Sequence, residues 1–449
     1  MLRDAWTLAI ETLSWMQMRR LSESLAFERA VQQLNVRDAD ALRLAHLLIY
    51  ETSKRMNFID RFINLVLKPR NLGEFDLGVQ AFLRLYVYQT RIAQAWGRVN
   101  VKEAESIAGL GRSILGWQKL LGVEDVLGLL LTTEKRNAFL EADDVEAVAL
   151  ASFHPVWFTK YCFRVFGRSQ ALALLEADNE ARQTYVRLNT LKMGEDEIVA
   201  ELRRESVHLV KEEGLKHVFR VESSTAPLAV VKGFGQGLFF VQDKASCFAA
   251  LAADARPGMH VLDICAAPAA KTTFLGELME DRGKIVSLDY SVRRLVTWRR
   301  EVERMGVTIA EPVCCDVCEG LPVLEEEDVV VLDPPCTSTG AFGKMPSARW
   351  RLSASSVERM AGIQWRMIEA CAGLVKVGGV LVYSTCSVMV EENELIVERF
   401  LRRHPEFTLA RICPDVGVQG LRGLDECRRL FPHLHECNGF FVARLKRLF

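Results

Sequence analysis

From about residue 241 onward the chain alternates short apolar runs with stretches long enough for a helix. The runs are His260 to Ile264, Lys284 to Leu288, Pro312 to Cys315, Asp328 to Leu332 and Gly379 to Tyr383. Few architectures accommodate this pattern. Strand and helix in strict alternation predict a doubly wound, mostly parallel α/β sheet with helices on both faces. Pro312 has no N–H to give a ladder, so it is expected only at the start of its strand.

In such a sheet, ligands bind just outside the carboxyl ends of the strands. At that edge the sequence places Asp263-Ile264-Cys265-Ala266-Ala267-Pro268-Ala269-Ala270-Lys271-Thr272 after the first run, Asp289 after the second and Asp316 after the third. Asp333-Pro334-Pro335-Cys336 follows the fourth and Ser384-Thr385-Cys386-Ser387 the fifth. Any one acid could be a strand-end cap, but acids after four strands point to a site. An acid closing the second strand is placed for ribose hydroxyls.

The first loop has neither a G-x-G-x-x-G nor a G-x-x-x-x-G-K-[ST] pattern, whose glycines bring backbone N–H groups against phosphates. A nucleoside cofactor without pyrophosphate is therefore expected. S-adenosylmethionine fits: adenosine needs acids and apolar walls, and the methionine end can take backbone contacts. Cys386 is either a small core residue at the edge or a nucleophile aimed into the cleft. Glu391-Glu392 suits a helix start, and a cysteine at a helix N-terminus gains a lowered pKa that these acids partly oppose.

At 449 residues the chain exceeds one ordinary core. Its 49% hydrophobic and 26% charged residues read as globular. No apolar run approaches the roughly 18 residues of a membrane span. Asp4 and Glu11 interrupt the N-terminal segment where a signal peptide would be apolar, so a cytoplasmic protein is expected. Twelve cysteines are too dilute for a disulfide scaffold, and free thiols are expected. Cys315 and Cys318 form a C-x-x-C pair with no second pair at zinc-ribbon spacing, so they read as buried thiols and no metal is expected. The net charge of −1 neither supports nor excludes a nucleic-acid partner, because a local basic stripe suffices.

Residues 1–145 read as an all-α domain. Trp6, Ala9, Ile10, Leu13 and Met16 recur at helical spacing, as do Leu42, Leu44, Leu47, Leu48 and then Ile59, Phe62, Ile63 and Val66. Gly73 and Gly78 are expected to punctuate two helices. Residues 146–240 read as a small α/β module, with a helix ending near Phe166, a strand over Tyr185 to Asn189 and a charged helix over Glu195 to Arg204. The glycine-rich run 233–237 reads as a loop. Residues 241–449 read as the α/β domain that carries the candidate site.

DICAAPAAKTT, LDPPCTSTGAF, YSTCSVMVEENE and the terminal CNGFFVARL resemble, in order and spacing, the RsmB/Sun (Fmu) family of RNA cytosine-C5 methyltransferases. The resemblance spans residues 241–449. VRLNTL and VQDKAS resemble that family's preceding module, and the helical region around Leu83-Arg84-Leu85-Tyr86 resembles a NusB-type RNA-binding domain. The implied fold is a Rossmann-like methyltransferase sheet; the implied activity is transfer of a methyl group from S-adenosylmethionine to a cytosine of RNA, small-subunit ribosomal RNA by analogy. The same chemistry on tRNA, or a non-catalytic RNA-binding assembly factor, are the alternatives; a DNA methyltransferase would need only Cys336. A monomer without membrane or metal partners is expected.

The resemblance makes Cys386 the nucleophile and Cys336 the thiol that assists product release. It assigns Cys265, Ala266, Ala267, Pro268, Ala269, Ala270 and Lys271 to the cofactor loop, Asp289 to the ribose, Asp316 to the adenine, and Asp333 to the space between cofactor and base, oriented by Lys271. Where the family has Gly-Gly this chain has Ala269-Ala270, and an angle only glycine tolerates would cost alanine about 1 kcal/mol. Pro334 stands for the usual alanine and only stiffens the turn. In FGKMPSARWRLS, Lys344, Arg349 and Arg351 flank Trp350 as phosphate-binding and stacking residues do. Arg293, Arg294, Arg299, Arg300 and Arg304 share one predicted helix and read as a solvated face, with Arg294 also counted in the cofactor-binding set.

Overall fold

The run around Tyr185 becomes β1 (Tyr185–Leu188), paired antiparallel with β3 (Val218–Ser224) and β4 (Phe239–Val241); β2 (Val207–Lys211) extends the sheet in the order β2-β3-β1-β4. The computed structural model describes residues 1–93, 100–320 and 325–449. Its two compact units are residues 1–179 with 344–351, and residues 180–343 with 352–449.

The second unit also holds the large sheet. Its parallel strands are β5 (His260–Ile264), β6 (Lys284–Asp289), β7 (Ala310–Cys314), β8 (Glu327–Leu332) and β9 (Val375–Thr385). β10 (Phe407–Leu409), β11 (Val418–Gln419), β12 (Arg428–Leu430) and β13 (Phe440–Arg447) add an antiparallel flank, giving the order β11-β12-β13-β9-β8-β5-β6-β7 with β10 on β13. The α/β class expected from the alternation is present, but the sheet is mixed. The chain steps outward through β5, β6 and β7, then returns to place β8 on the other side of β5. This switch of direction opens a crevice at the carboxyl ends of β5 and β8.

Alternation along the central strands feeds two apolar layers. Val261, Ile285, Val329, Val331, Val380 and Val382 face one layer with Phe274 and Leu275. Leu262, Ile264, Leu288, Val330, Leu332 and Leu381 face the other with Ile368 and Phe400. With both faces covered, the runs are apolar throughout, as buried parallel strands require. Each such side chain contributes about 1.5–3 kcal/mol on burial. Pro312 lies inside β7, opposite Ser287, and does not begin it. β7 is the edge strand and pairs only with β6, so the missing donor leaves no ladder bond unmade.

In the first unit, helix Leu77–Val87 is the centre: every residue from Val79 to Val87 is buried. Trp6, Ile10 and Leu13 of helix Leu2–Arg19 and Phe58, Phe62 and Ile63 of helix Met56–Leu67 belong to the same core. Leu47 departs from the expected face and is 52% exposed. Gly73 lies between two helices in the turn Leu72–Glu74, but Gly78 is inside helix Leu77–Val87, where a Cβ would come within 3.1 Å of Leu115. The helices Asp144–Ala151, Val156–Phe166 and Arg168–Ala177, counted with the middle module in the sequence, pack in this unit. Asn57 Nδ2 donates to Ala149 O at 2.9 Å and His154 O at 3.0 Å, tying the first of these helices and the turn after it to helix Met56–Leu67. Among the described residues no helix is long and apolar enough to cross a membrane.

Candidate active site

The crevice at the sheet's switch point is a cavity of about 450 Å³. Asp289, buried at the end of β6, accepts from Ala267 N and Ser291 N, both at 3.2 Å. Arg294 bridges it to the first loop: its Nη1 lies 3.1 Å from Asp289 Oδ2 and its Nη2 donates to Ala267 O at 2.6 Å. Arg294 therefore belongs to the site's frame, although its helix, Val292–Met305, also presents exposed arginines. Asp316 accepts from Cys318 N at 2.9 Å, and Leu288, Val317, Ile363 and Met367 supply apolar walls. Acids at one end and apolar walls between suit an adenosine, and the volume lies in the usual range for a cofactor of this size.

Only Cys265 and Ala267 of the expected cofactor loop line the cavity. Ala266 and Ala269 are buried behind it, while Pro268 is exposed. Ala269 adopts φ 84°, ψ 11°, a left-handed conformation that precedes helix Ala270–Leu278. The glycine-like position is thus Ala269 alone; Ala270 already begins the helix. Behind the loop, Asp263 accepts from Thr272 Oγ1 at 2.6 Å, and burial pushes its carboxyl up to about 6.

Two loops bring thiols together at the other end. Cys336 Sγ and Cys386 Sγ are 3.3 Å apart, and Ser338 Oγ is 3.3 Å from Cys386 Sγ. The Cys336 thiol beside it holds Cys386 below the ordinary thiol range against burial, with help from Ser338 and the Lys271 charge. Cys336 is pushed up, first by its bond to Cys386 and then by burial. Lys271 is buried and ion-paired with Asp333, which also accepts from Ser384 Oγ at 3.4 Å. Burial opposes the charge of Lys271, but Asp333, Asp263 and Cys386 outweigh it and its pKa is raised. The helical start expected at Glu391-Glu392 is present as the 3₁₀ turn Val390–Glu392 followed by helix Glu394–Arg403, but it lies four and eight residues beyond Cys386, so hydrogen bonds and the lysine, not a helix N-terminus, favour the thiolate.

Glu392 has a larger part than its sequence position suggests. Fully buried, its Oε1 accepts from Thr337 N and Gln364 Nε2, both at 2.8 Å. Its Oε2 accepts from Ser387 Oγ at 2.5 Å and from Thr337 Oγ1. One carboxylate thereby ties the residue after Cys336 to the residue after Cys386. A second brace is steric: Gly340 N donates to Cys386 O at 3.0 Å and Gly439 N to Gly340 O at 2.8 Å. A Cβ on Gly340 would lie 2.0 Å from Gly439 O, which explains the glycine in both motifs.

Asp289, Arg294, Asp316, Asp333, Cys336 and Cys386 all line one cavity. Tyr290, Ser338 and Arg366 line it too and were not singled out from the sequence; Tyr290, next to the second-strand acid and 66% exposed, had the clearest positional signal. Cys315 and Cys318, expected to be buried, are half-buried on the cavity wall, because β7 ends at Cys314 and the chain turns there. Among the described residues no cluster of three His, Cys, Asp or Glu is placed to hold a metal.

Residues 344–351 pack with the helical unit. Lys344 is exposed, but Arg349 is fully buried, donating to Phe153 O at 2.8 Å, Asp178 O at 2.8 Å and Asn179 Oδ1 at 3.0 Å. Trp350 Nε1 donates to Ser53 O at 2.5 Å. Arg349, expected to contact RNA, is instead an internal strut, because its donors find two backbone carbonyls and the Asn179 amide oxygen of its own chain. Arg351 is half-buried.

Residues 250–446 match the family model described as 16S rRNA methyltransferase RsmB/F. A probable ribosomal RNA small subunit methyltransferase B of Synechocystis is 27% identical over 437 residues, covering 94% of this chain and 95% of its own. A 28S rRNA (cytosine-C(5))-methyltransferase of Mus musculus is 29% identical over 300 residues, 63% of this chain and 37% of its own. The crystal structure of PH0851 is similar over 99% of both chains, with a TM-score of 0.84 at 27% identity.

Proposed function

Because residues 250–446 match the model of the RsmB/F methyltransferase family, we propose that the protein is an S-adenosylmethionine-dependent RNA cytosine-C5 methyltransferase acting on small-subunit ribosomal RNA. The observation that carries the reading is the thiol pair, 3.3 Å apart on the wall of a cavity large enough for a nucleoside cofactor, with Cys386 held below the ordinary thiol range.

C5 of cytosine is a poor nucleophile, so a thiolate must first add to C6. Cys386 is that thiolate. S-adenosylmethionine, when bound against Asp289 and Asp316, supplies an electrophilic methyl group. Asp333, paired with Lys271, lines the cavity between that cofactor region and the thiols and orients the base. After transfer the C5 proton leaves and the Cys386–C6 bond breaks, with Cys336 assisting release of the methylated base. The target cytosine must be splayed from its stack to reach this depth. The N-terminal helices, through their resemblance to a NusB-type domain, are proposed to add RNA affinity, with 146–240 as a linking module. The setting proposed is the cytoplasm, and the proposed state is a monomer.

The test is transfer of labelled methyl from S-adenosylmethionine to unmodified total RNA separated by size. Label in the small-subunit rRNA supports the reading in full. Label in tRNA alone keeps the chemistry and overturns the substrate, and no label in any fraction overturns both.

A further inference from the structure

The helical unit contains a second built cavity, of about 340 Å³. Met16, Met56 and Trp350 form flat, polarisable walls, and Arg20, Ser347 and Arg351 place donors at its edge. The walls are preformed: Trp350 is pinned to Ser53 O, and Ser347 N donates to Glu23 Oε1 at 3.1 Å. The donors on the rim lack partners that the neighbouring arginine has. Arg84, also at the cavity, is neutralised by Asp60 at 2.7 Å and bonds Gln17 Oε1 at 2.7 Å. Arg351 faces the Glu23 carboxyl without closing a salt bridge to it among the described residues, and its Nε is buried without a hydrogen-bond partner. Ser347 is 3% exposed, and its Oγ faces the Glu23 carboxyl without a well-formed hydrogen bond. The acid behind the segment, Glu23, is favoured in its charged form by Arg351 and Arg349, but burial outweighs them and pushes it up to about 7, so it is a weak counterion.

A half-buried guanidinium without a close ion pair is costly, and so is a buried hydroxyl without a well-formed hydrogen bond. Both costs are relieved by one ligand: a planar aromatic ring against the thioethers and indole, carrying an anion for Arg351 and Arg20. Sulfur and indole faces accept any base, and arginine forks match phosphate. The volume is at the lower end of nucleotide-sized pockets.

We propose that this cavity binds one unstacked nucleotide of the RNA substrate, its base between Met16, Met56 and Trp350 and its phosphate on Arg20 and Arg351. This rests on RNA being the substrate, and it adds a second anchoring point remote in sequence from Cys386.

The test uses the full-length protein and a fluorescein-labelled single-stranded RNA of mixed sequence carrying 4-thiouridine. Crosslinks are expected in peptides 13–21 and 344–351. Arg351→Gln should weaken RNA binding about tenfold and lower the salt dependence by about one released counterion, with S-adenosylmethionine affinity kept. If Arg351→Gln fails to fold, the exposed Arg20→Gln decides, with a loss of about fivefold expected. No crosslink in these peptides, or variants within twofold of wild type, overturns the site. Because binding and crosslinking are read directly, a protein that binds here but methylates nothing refutes the methyltransferase reading and leaves this site standing. One that methylates RNA with unchanged binding in the variants refutes only the site.

Discussion

Replacing Glu392 by glutamine tests whether one buried carboxylate sets the distance between the two thiols. The carboxylate accepts four hydrogen bonds, two from N–H donors on Oε1 and two from hydroxyls on Oε2. Glutamine can keep its oxygen toward Thr337 N and Gln364 Nε2, but it then turns an NH₂ group toward Thr337 Oγ1 and Ser387 Oγ. The hydroxyls must reverse to accept, and all four bonds lose charge assistance. At about 0.5–1 kcal/mol lost per bond, the substitution costs about 2–4 kcal/mol within the two loops. The thiols, 3.3 Å apart in the native arrangement, should then separate for much of the time. The direct readout is diamide-driven formation of the Cys336–Cys386 disulfide, followed by peptide mass spectrometry. Glu392→Gln should slow it at least about tenfold and lower kcat, with KM for S-adenosylmethionine unchanged, since Asp289 and Asp316 are untouched. A folded variant that closes the disulfide and turns over at wild-type rates would show that Glu392 does not position the thiols.

Ala269→Gly should stabilise the protein by about 1 kcal/mol in denaturant melts by relieving a left-handed alanine, whereas Ala270→Gly brings no such gain. Lys271→Met should shift the midpoint of Cys386 alkylation by iodoacetamide to higher pH, because a cation that lowers the thiol pKa is removed; an unshifted midpoint contradicts this. His154 is buried neutral, and burial lowers its pKa from 6.5 to about 4. The unfolded chain therefore takes up the proton first, and stability present above pH 6.5 is lost as pH falls toward 4. The loss at pH 5 is about 2 kcal/mol. Melts at pH 7 and pH 5 should differ less by that amount in His154→Gln, and an identical pH slope in both proteins excludes the mechanism.

The sheet was legible where burial on both faces makes a strand continuously apolar: β5 has the predicted bounds, and β8 and β6 differ by one residue at one end. β13 was not, because CNGFFVARL reads as a motif and nothing local says that it pairs antiparallel with β9. The acids and both thiols were legible because strand ends converge on one edge in this topology. The part played by Glu392 was hidden, since beside Cys386 it reads as a helix-start charge while Thr337 and Gln364 lie 55 and 28 residues away. Arg349 failed for the same reason: a basic–aromatic run looks solvent-facing until its acceptors, 170 or more residues distant, are in place.

The roles of the two thiols are tested most directly by incubating Cys336→Ala with unmodified ribosomal RNA and S-adenosylmethionine, then separating the products on a denaturing gel. Attack by Cys386 without assisted release predicts a protein–RNA adduct that survives denaturation and disappears in Cys336→Ala/Cys386→Ala. No adduct, or one that persists without Cys386, contradicts the assignment.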